Sequence, residues 1–236
     1  MSAAEPSDPV AVVAGFRAEA RCLRGLGLGV AYSGGSAERA RSEAQRLLAG
    51  GAAALVSFGL AGGLAPELRT GELLLPEMVC SDGPVPWSVD RLWRERVHAR
   101  LAGGGFAPKA GIIAGSDGIV ATTADKRSLF EATGALAVDM ESHAVAAVAS
   151  AAKIPFLVLR ALADPADQVV PQVAREALRP DGRIRIRATF GGVLRQPGEL
   201  IPLLRLARQS ALGLVSLRRG ARLAGPRLGY DTFGAE

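Results

Sequence analysis

The chain has 236 residues, 49% hydrophobic and 5% aromatic, with a formal net charge of +5. That suits one large α/β domain or two small ones with a core of Ala, Val, Leu and Ile. The 29 glycines follow no collagen-like period, the two cysteines (Cys22, Cys80) form no framework, and no run of about 18 uninterrupted apolar residues stands ready to span a bilayer. Reduced thiols and the polar opening MSAAEPSDP, which is no secretory signal, point to the cytoplasm. The basic excess is local: arginines crowd residues 175–227, whereas residues 52–81 hold a single one.

In chain order, PVAVVAGF (9–16) reads as a short buried strand and FRAEARCLRGLG (16–27) as a helix ended by glycine. Residues 33–51 form a helix with Ser36 as N-cap, Leu47 and Leu48 facing inward, and Gly50-Gly51 as the stop. AAALVSFGLAGGL (52–64) is a buried strand running into a glycine-rich turn. A strand broken by Pro76 covers 71–81, a helix 87–105, and a strand with its turn 109–120. Thr122 or Thr123 caps a helix to residue 134; then come a short strand to Val138, a helix opened by Asp139, and the strand 154–163. Residues 164–183, with three prolines, read as a mobile loop with one short helix.

Alternating strands and helices predict a three-layer α/β/α sandwich with a central mixed, largely parallel sheet. One catalytic domain takes in 1–236: a core over 9–197, a basic amphipathic C-terminal helix over 198–222 and a flexible tail over 223–236. In the helix, 199–215 is expected to cover the sheet and the arginine-rich 217–227 to stay free for anionic lipid headgroups.

Ligands of open α/β sheets bind at the carboxyl ends of strands. Glu19, Gly59 to Gly63, Ser116-Asp117, Asp139, Glu141 and Asp164 all fall at such ends. Alone, Asp139 reads as an N-cap, Glu141 as a first-turn acid and Asp164 as a cap for the next segment. Their gathering on one rim is what suggests chemistry. No metal and no cofactor is expected.

The stretch VDMESHAVAAVASAAKIPFLVLRALADPAD (138–167) resembles the signature of the nucleoside phosphorylase and nucleosidase superfamily; GLAGGLAP (59–66) is similar to its glycine turn, and AGFRAEA (14–20) resembles the first strand–turn of the nucleosidases that cleave methylthioadenosine and adenosylhomocysteine. DMESHAVA, SFGLAGGLAP, AGSD and the arginine-rich tail most resemble the hopanoid-associated phosphorylases, a group credited with removing adenine from adenosylhopane. The resemblance implies cleavage of an N-ribosyl bond. Asp164 would protonate the departing purine, Glu141 hold the ribose hydroxyls over Met140, and Glu19 orient or deprotonate water. Ile119 and Val120, with Asp117 anchoring their turn, would meet the base, and Gly62 and Gly63 would let backbone approach the ribose or an anion. His143 and Asp139 are candidates of lesser weight, with structural readings of their own. Phosphate is a candidate co-substrate that would have to use the SGGS segment (Gly35, Ser36), Arg39 or Arg160, because Leu60 stands where relatives carry a hydroxyl. Water is therefore favoured. The partners expected are a lipid-linked nucleoside and further copies of the chain, with peripheral contact at the inner membrane face and no nucleic acid. The alternatives are a methylthioadenosine/adenosylhomocysteine nucleosidase and a non-enzymatic basic membrane- or nucleic-acid-binding module.

Overall fold

Every residue of β1 (Val10–Ala14) is apolar and buried, as in a strand covered on both faces. The computed structural model describes residues 9–83, 85–177 and 197–231. Within them β1 lies between β2 (Gly29–Tyr32) and β3 (Ala54–Gly63), parallel to both. β3 runs parallel to β9 (Phe156–Leu162) from Leu55↔Phe156 to Ala61↔Leu162. Its last two residues pair antiparallel with β8 (Ala137–Asp139). Beyond β8 come β7 (Ile112–Gly115) and β5 (Met78–Cys80), all three parallel. β4 (Leu73–Leu74) and β6 (Trp87–Ser88) add short antiparallel pairs to β9 and β5. The sheet is mixed and largely parallel, as expected.

Successive side chains enter opposite layers. Ala11, Val13 and Leu55 share a core with Ala40 and Ala44 of α2 (Ala37–Ala49) and Ala144, Val145 and Val148 of α5 (Ser142–Ala152). Val10, Val12, Val56 and Phe58 meet Trp93, Val97 and Leu101 of α3 (Arg91–Gly103) and Leu217 and Ala221 of α7 (Leu200–Ala224). Three further helices complete the set among the described residues: α1 (Arg17–Ala20), α4 (Thr123–Thr133) and α6 (Gln172–Ala177).

Several boundaries differ from the sequence reading. Residues 59–63 are strand, not turn, because β3 outruns β9 and takes β8 as a new partner. The first helix stops at Ala20 and continues as a 3-10 turn over Arg21–Leu23, and the edge strand β2 comes next, unannounced by its glycine-spaced sequence. α3 begins four residues late, where Asp90 accepts from Trp93 N at 2.8 Å; the residues before it form β6. Ser36 and Thr122 cap α2 and α4 as anticipated. In the loop after β9, α6 is the short helix; residues 178–183 lie outside the described ones. Cys22 and Cys80 are free thiols, both pushed up from their ordinary value by burial.

The C-terminal helix reverses the expected division. Leu217, Gly220, Ala221 and Ala224 are buried, while Leu200, Ile201, Leu204, Leu212 and Val215 are exposed. The reason is steric. A Cβ on Gly213 would lie 2.7 Å from Leu60 Cδ2, and one on Gly220 2.7 Å from Leu73 Cδ1. The two glycines, seven residues apart, thus form notches that seat sheet leucines and draw the second half of α7 down. The arginines reach past this contact: Arg219 donates to Gly104 O and stacks over Phe106. Residues 223–231 form no loose tail: Trp93 Nε1 donates to Leu228 O at 2.8 Å, and Trp93 meets Tyr230 edge-on at 4.8 Å. Residues 232–236 lie outside the described ones. By length and hydropathy alone α7 could cross a membrane; among the described residues it is instead a wall of the fold.

Candidate active site

The ends of β1, β3, β7, β8 and β9 converge with α7 around a cavity of about 460 Å³. Glu19, Asp139, Glu141 and Asp164 line it, along with Phe16, Leu60, Gly62, Ile119, Val120, Val138, Met140 and, from α7, Leu203, Leu206 and Leu214. A larger, more open groove of about 670 Å³ lies beside β6 and the end of α5. Its acid, Asp90, is engaged in capping α3, so the chemistry belongs to the smaller cavity.

Gly15 follows β1 directly, and the absence of a side chain there lets two acids meet: a Cβ would lie 2.9 Å from Glu19 Oε2 and 3.0 Å from Glu141 Oε1. Glu19 accepts from Phe16 N at 2.7 Å and from Leu60 N at 2.9 Å. Burial raises its carboxyl above the ordinary range, against the pull of Arg160 and these amides. Glu141 accepts from Ser33 Oγ at 3.4 Å and from Arg160 Nη2 at 3.3 Å. Burial lifts it to about 7, with Asp139 and Glu19 adding to the effect and Arg160 opposing it.

Arg160 points from the middle of β9 into this group and is fully buried. Its Nε lies 2.8 Å from Asp139 Oδ2, and its Nη2 donates to Ser57 Oγ at 2.6 Å and Ser142 Oγ at 3.2 Å. Burial works against its charge, but Asp139, Glu141 and Glu19 outweigh that and hold it above its ordinary value. Asp139 also accepts from Glu141 N, Ser142 N and Ser142 Oγ, closing the turn into α5. It is fully engaged within the fold.

Asp164 stands just past β9 at the cavity edge. In the sequence it follows an apolar strand; in the fold Lys126 Nζ from α4 sits 2.5 Å from its Oδ2. The same ammonium donates to Pro165 O and Gln168 O, both at 2.8 Å. Lys126 is fully buried. Nothing in TTADKRSLFEATG marks it apart from the exposed charges of an ordinary helix.

Other expected residues fall outside the cavity lining. Asp117 has a side chain 90% exposed; its Oδ1 lies 3.1 Å from Nε2 of the buried His143, tying the Ser116–Gly118 turn to α5. Gly63 approaches the loop after β9, its N donating to Asp164 O at 2.7 Å. Gly35 packs against Phe16, and Ser36 caps α2 through Arg39 N at 3.3 Å. Of the SGGS segment only Ser33 reaches the acids. Among the described residues no lysine, arginine or histidine lines the cavity, and no cluster of ligands suits a metal.

The pH dependence of stability derives from Glu141. Its folded value of about 7 lies above the ordinary 4.5, so between those limits the folded protein keeps a proton that the unfolded chain has released. Stability is therefore full below about pH 4.5 and falls as pH rises towards 7, by up to about 1.4 kcal/mol per unit. Glu141→Gln should flatten part of that fall, with Glu19 retaining the rest. Melting temperatures of both proteins at pH 5 and pH 8 check this; an equal drop in the two would remove the assignment.

Strand ends that gather buried acids around an apolar cavity, with no cation among its described lining residues, suit an enzyme of the nucleoside hydrolase or phosphorylase class, which the family match establishes. The chain belongs to the phosphorylase superfamily, whose sequence model matches residues 9–180. No curated protein sequence matches it. Among solved structures it is similar to the 5'-methylthioadenosine/S-adenosylhomocysteine nucleosidase of Helicobacter pylori bound to butyl-thio-DADMe-Immucillin-A (TM-score 0.67, 19% identity, 92% of this chain and 99% of that one). It is likewise similar to the futalosine hydrolase of Helicobacter pylori (0.66, 18%, 90% and 97%) and to the Campylobacter jejuni 5'-methylthioadenosine/S-adenosylhomocysteine nucleosidase (0.63, 20%, 89% and 98%).

Proposed function

We propose that this protein hydrolyses the N-ribosyl bond of an adenine nucleoside with a large apolar 5′ substituent, adenosylhopane in hopanoid biosynthesis being the substrate we favour. The observation that carries the hydrolytic reading is the lining of the cavity: among the described residues four acids line it and no lysine, arginine or histidine does. A phosphate dianion would find no cation among those described residues to bind it, and whichever acids are ionised would oppose it. The two buried cations behind the lining are already engaged: Arg160 by Asp139, Glu141 and two serines, and Lys126 by Asp164 and two carbonyls. Water needs no cation to hold it, and a carboxylate made more basic by burial suits the removal of its proton. Glu19, held by two backbone amides beside Glu141, is the group for that task. Glu141 would accept from the ribose hydroxyls over Met140, and Asp164 would supply the proton that lets adenine leave.

The apolar substituent rests on α7. Leu203, Leu206 and Leu214 turn into the cavity, and the outer face of the same helix exposes Ile201, Leu204, Leu212 and Val215 beside Arg208. On the cavity side of this wall an amino-acid tail like that of adenosylhomocysteine finds no charged partner among the described residues of the helix; a hydrocarbon needs none. Adenine release measured in phosphate-free buffer over methylthioadenosine, adenosylhomocysteine and 5′-alkyl or polycyclic-lipid adenosines is the test. Release should proceed without phosphate, yield free sugar and rise in kcat/KM with the apolar bulk at the 5′ position. Strict phosphate dependence with a sugar phosphate as product would end the hydrolytic reading, and preference for adenosylhomocysteine would end the lipid one.

A further inference from the structure

A lysine with no exposed surface is an expensive placement unless its charge is matched. Lys126 has three donors, and each has an acceptor: Asp164 Oδ2 at 2.5 Å, Pro165 O at 2.8 Å and Gln168 O at 2.8 Å. These acceptors belong to one loop, the segment that leaves β9 at the cavity. Lys126 itself comes from α4, whose N-terminus is fixed by Thr122 Oγ1 accepting from Asp125 N at 3.0 Å. A helix on one side of the site thus grips the loop that carries Asp164. The carboxyl is held through Oδ2, and Oδ1 is left for a ligand in the cavity that Asp164 lines. The backbone approach at Gly62, where a Cβ would lie 3.3 Å from Oδ2 and 3.5 Å from Oδ1, closes the other side.

We propose that Lys126 is a positioning residue for departure of the base, acting through Asp164. In the step it serves, the C–N bond breaks with its electron pair going to the purine, and the proton of the Asp164 carboxyl passes to a purine nitrogen. Water adds to the anomeric carbon and gives its proton to the Glu19 carboxylate. Asp164 ends the step as a carboxylate. The ammonium 2.5 Å from Oδ2 stabilises that anion as it forms and keeps the other oxygen aimed at the base. A group that only held the loop together would not distinguish between leaving groups. A group working through proton donation must.

The inference rests on the N-ribosyl hydrolysis proposed above, and its test separates the two. Wild type, Lys126→Met, Asp164→Asn and the double variant are assayed on the best adenine nucleoside and on 4-nitrophenyl β-D-ribofuranoside, whose phenolate leaves without a proton. Lys126→Met should lose at least about tenfold in kcat on the nucleoside with KM within about threefold, stay within about threefold of wild type on the nitrophenyl riboside, and cause no further loss in the Asp164→Asn background. Lys126→Arg, which keeps the charge but shifts the donor away from Oδ2, is read by the same ratio of substrates should the methionine variant not fold. Equal loss on both substrates, additive loss in the double variant, or no loss at all would overturn the proposal. Wild type that cleaves neither substrate would overturn the hydrolytic reading instead.

Discussion

Asp164→Asn should slow adenine release at least about a hundredfold while nucleoside affinity stays within about threefold. The size comes from the job assigned to the residue: a positioned acid contributes about 10² to 10⁴ in rate, and a hundredfold is about 2.7 kcal/mol of transition-state stabilisation. Affinity is spared because an amide still offers the base a hydrogen bond in the ground state, where no proton has moved. The buried Lys126 loses its carboxylate, so the variant is less stable, but Lys126 keeps Pro165 O and Gln168 O as acceptors and the amide oxygen can replace Oδ2, so the loop keeps its place. Single-turnover rates with excess enzyme, set beside binding of an uncleavable analogue, separate the chemical step from affinity. Turnover near the wild-type rate would take Asp164 out of the reaction. A loss confined to affinity would make it a binding group only.

Much of this arrangement can be read from residues in a line. Acids placed after apolar strands locate the rim, and β1, β9 and the capped helices α2 and α4 are legible because hydrophobic period and cap chemistry are local. What stays hidden depends on contacts between distant segments. Lys126 looks like a solvent-facing helix charge; its burial comes from a loop 38 residues further on. The C-terminal helix looks most easily buried where its leucines are densest, yet Gly213 and Gly220 decide the matter, since docking there depends on the absence of a side chain opposite Leu60 and Leu73. That docking turns Leu203, Leu206 and Leu214 from a generic amphipathic stripe into the wall of the cavity. Asp117 lies in its turn at the end of β7, but its side chain points outward to His143, a contact that the spacing of the two residues does not announce.

Arg160→Met should be the most destabilising single change in the site, and its cost should depend on pH. Methionine fills much the same space in the strand, so the loss is electrostatic rather than a cavity. Asp139, Glu141 and Glu19 would keep their burial and lose the one guanidinium that opposes it. Removing one member of a buried ionic group costs about 3–5 kcal/mol, unlike replacing the whole group with apolar residues, which is often neutral. Glu141 stands at about 7 even with Arg160 beside it; without the arginine its folded value moves higher still, and the proton it holds in the fold is surrendered by the unfolded chain above about pH 4.5. The variant should therefore approach wild-type stability near pH 5 and lose ground steadily as pH rises through 7 and beyond. Urea unfolding at pH 5, 7 and 8.5 reads this directly, and Glu141→Gln placed in the Arg160→Met background should recover part of the loss at the upper end by removing one unpaired acid. A deficit of equal size at all three pH values would assign Arg160 to packing and to its hydrogen bonds with Ser57 and Ser142. The acids of the site would then have to be held in place by their backbone amides alone.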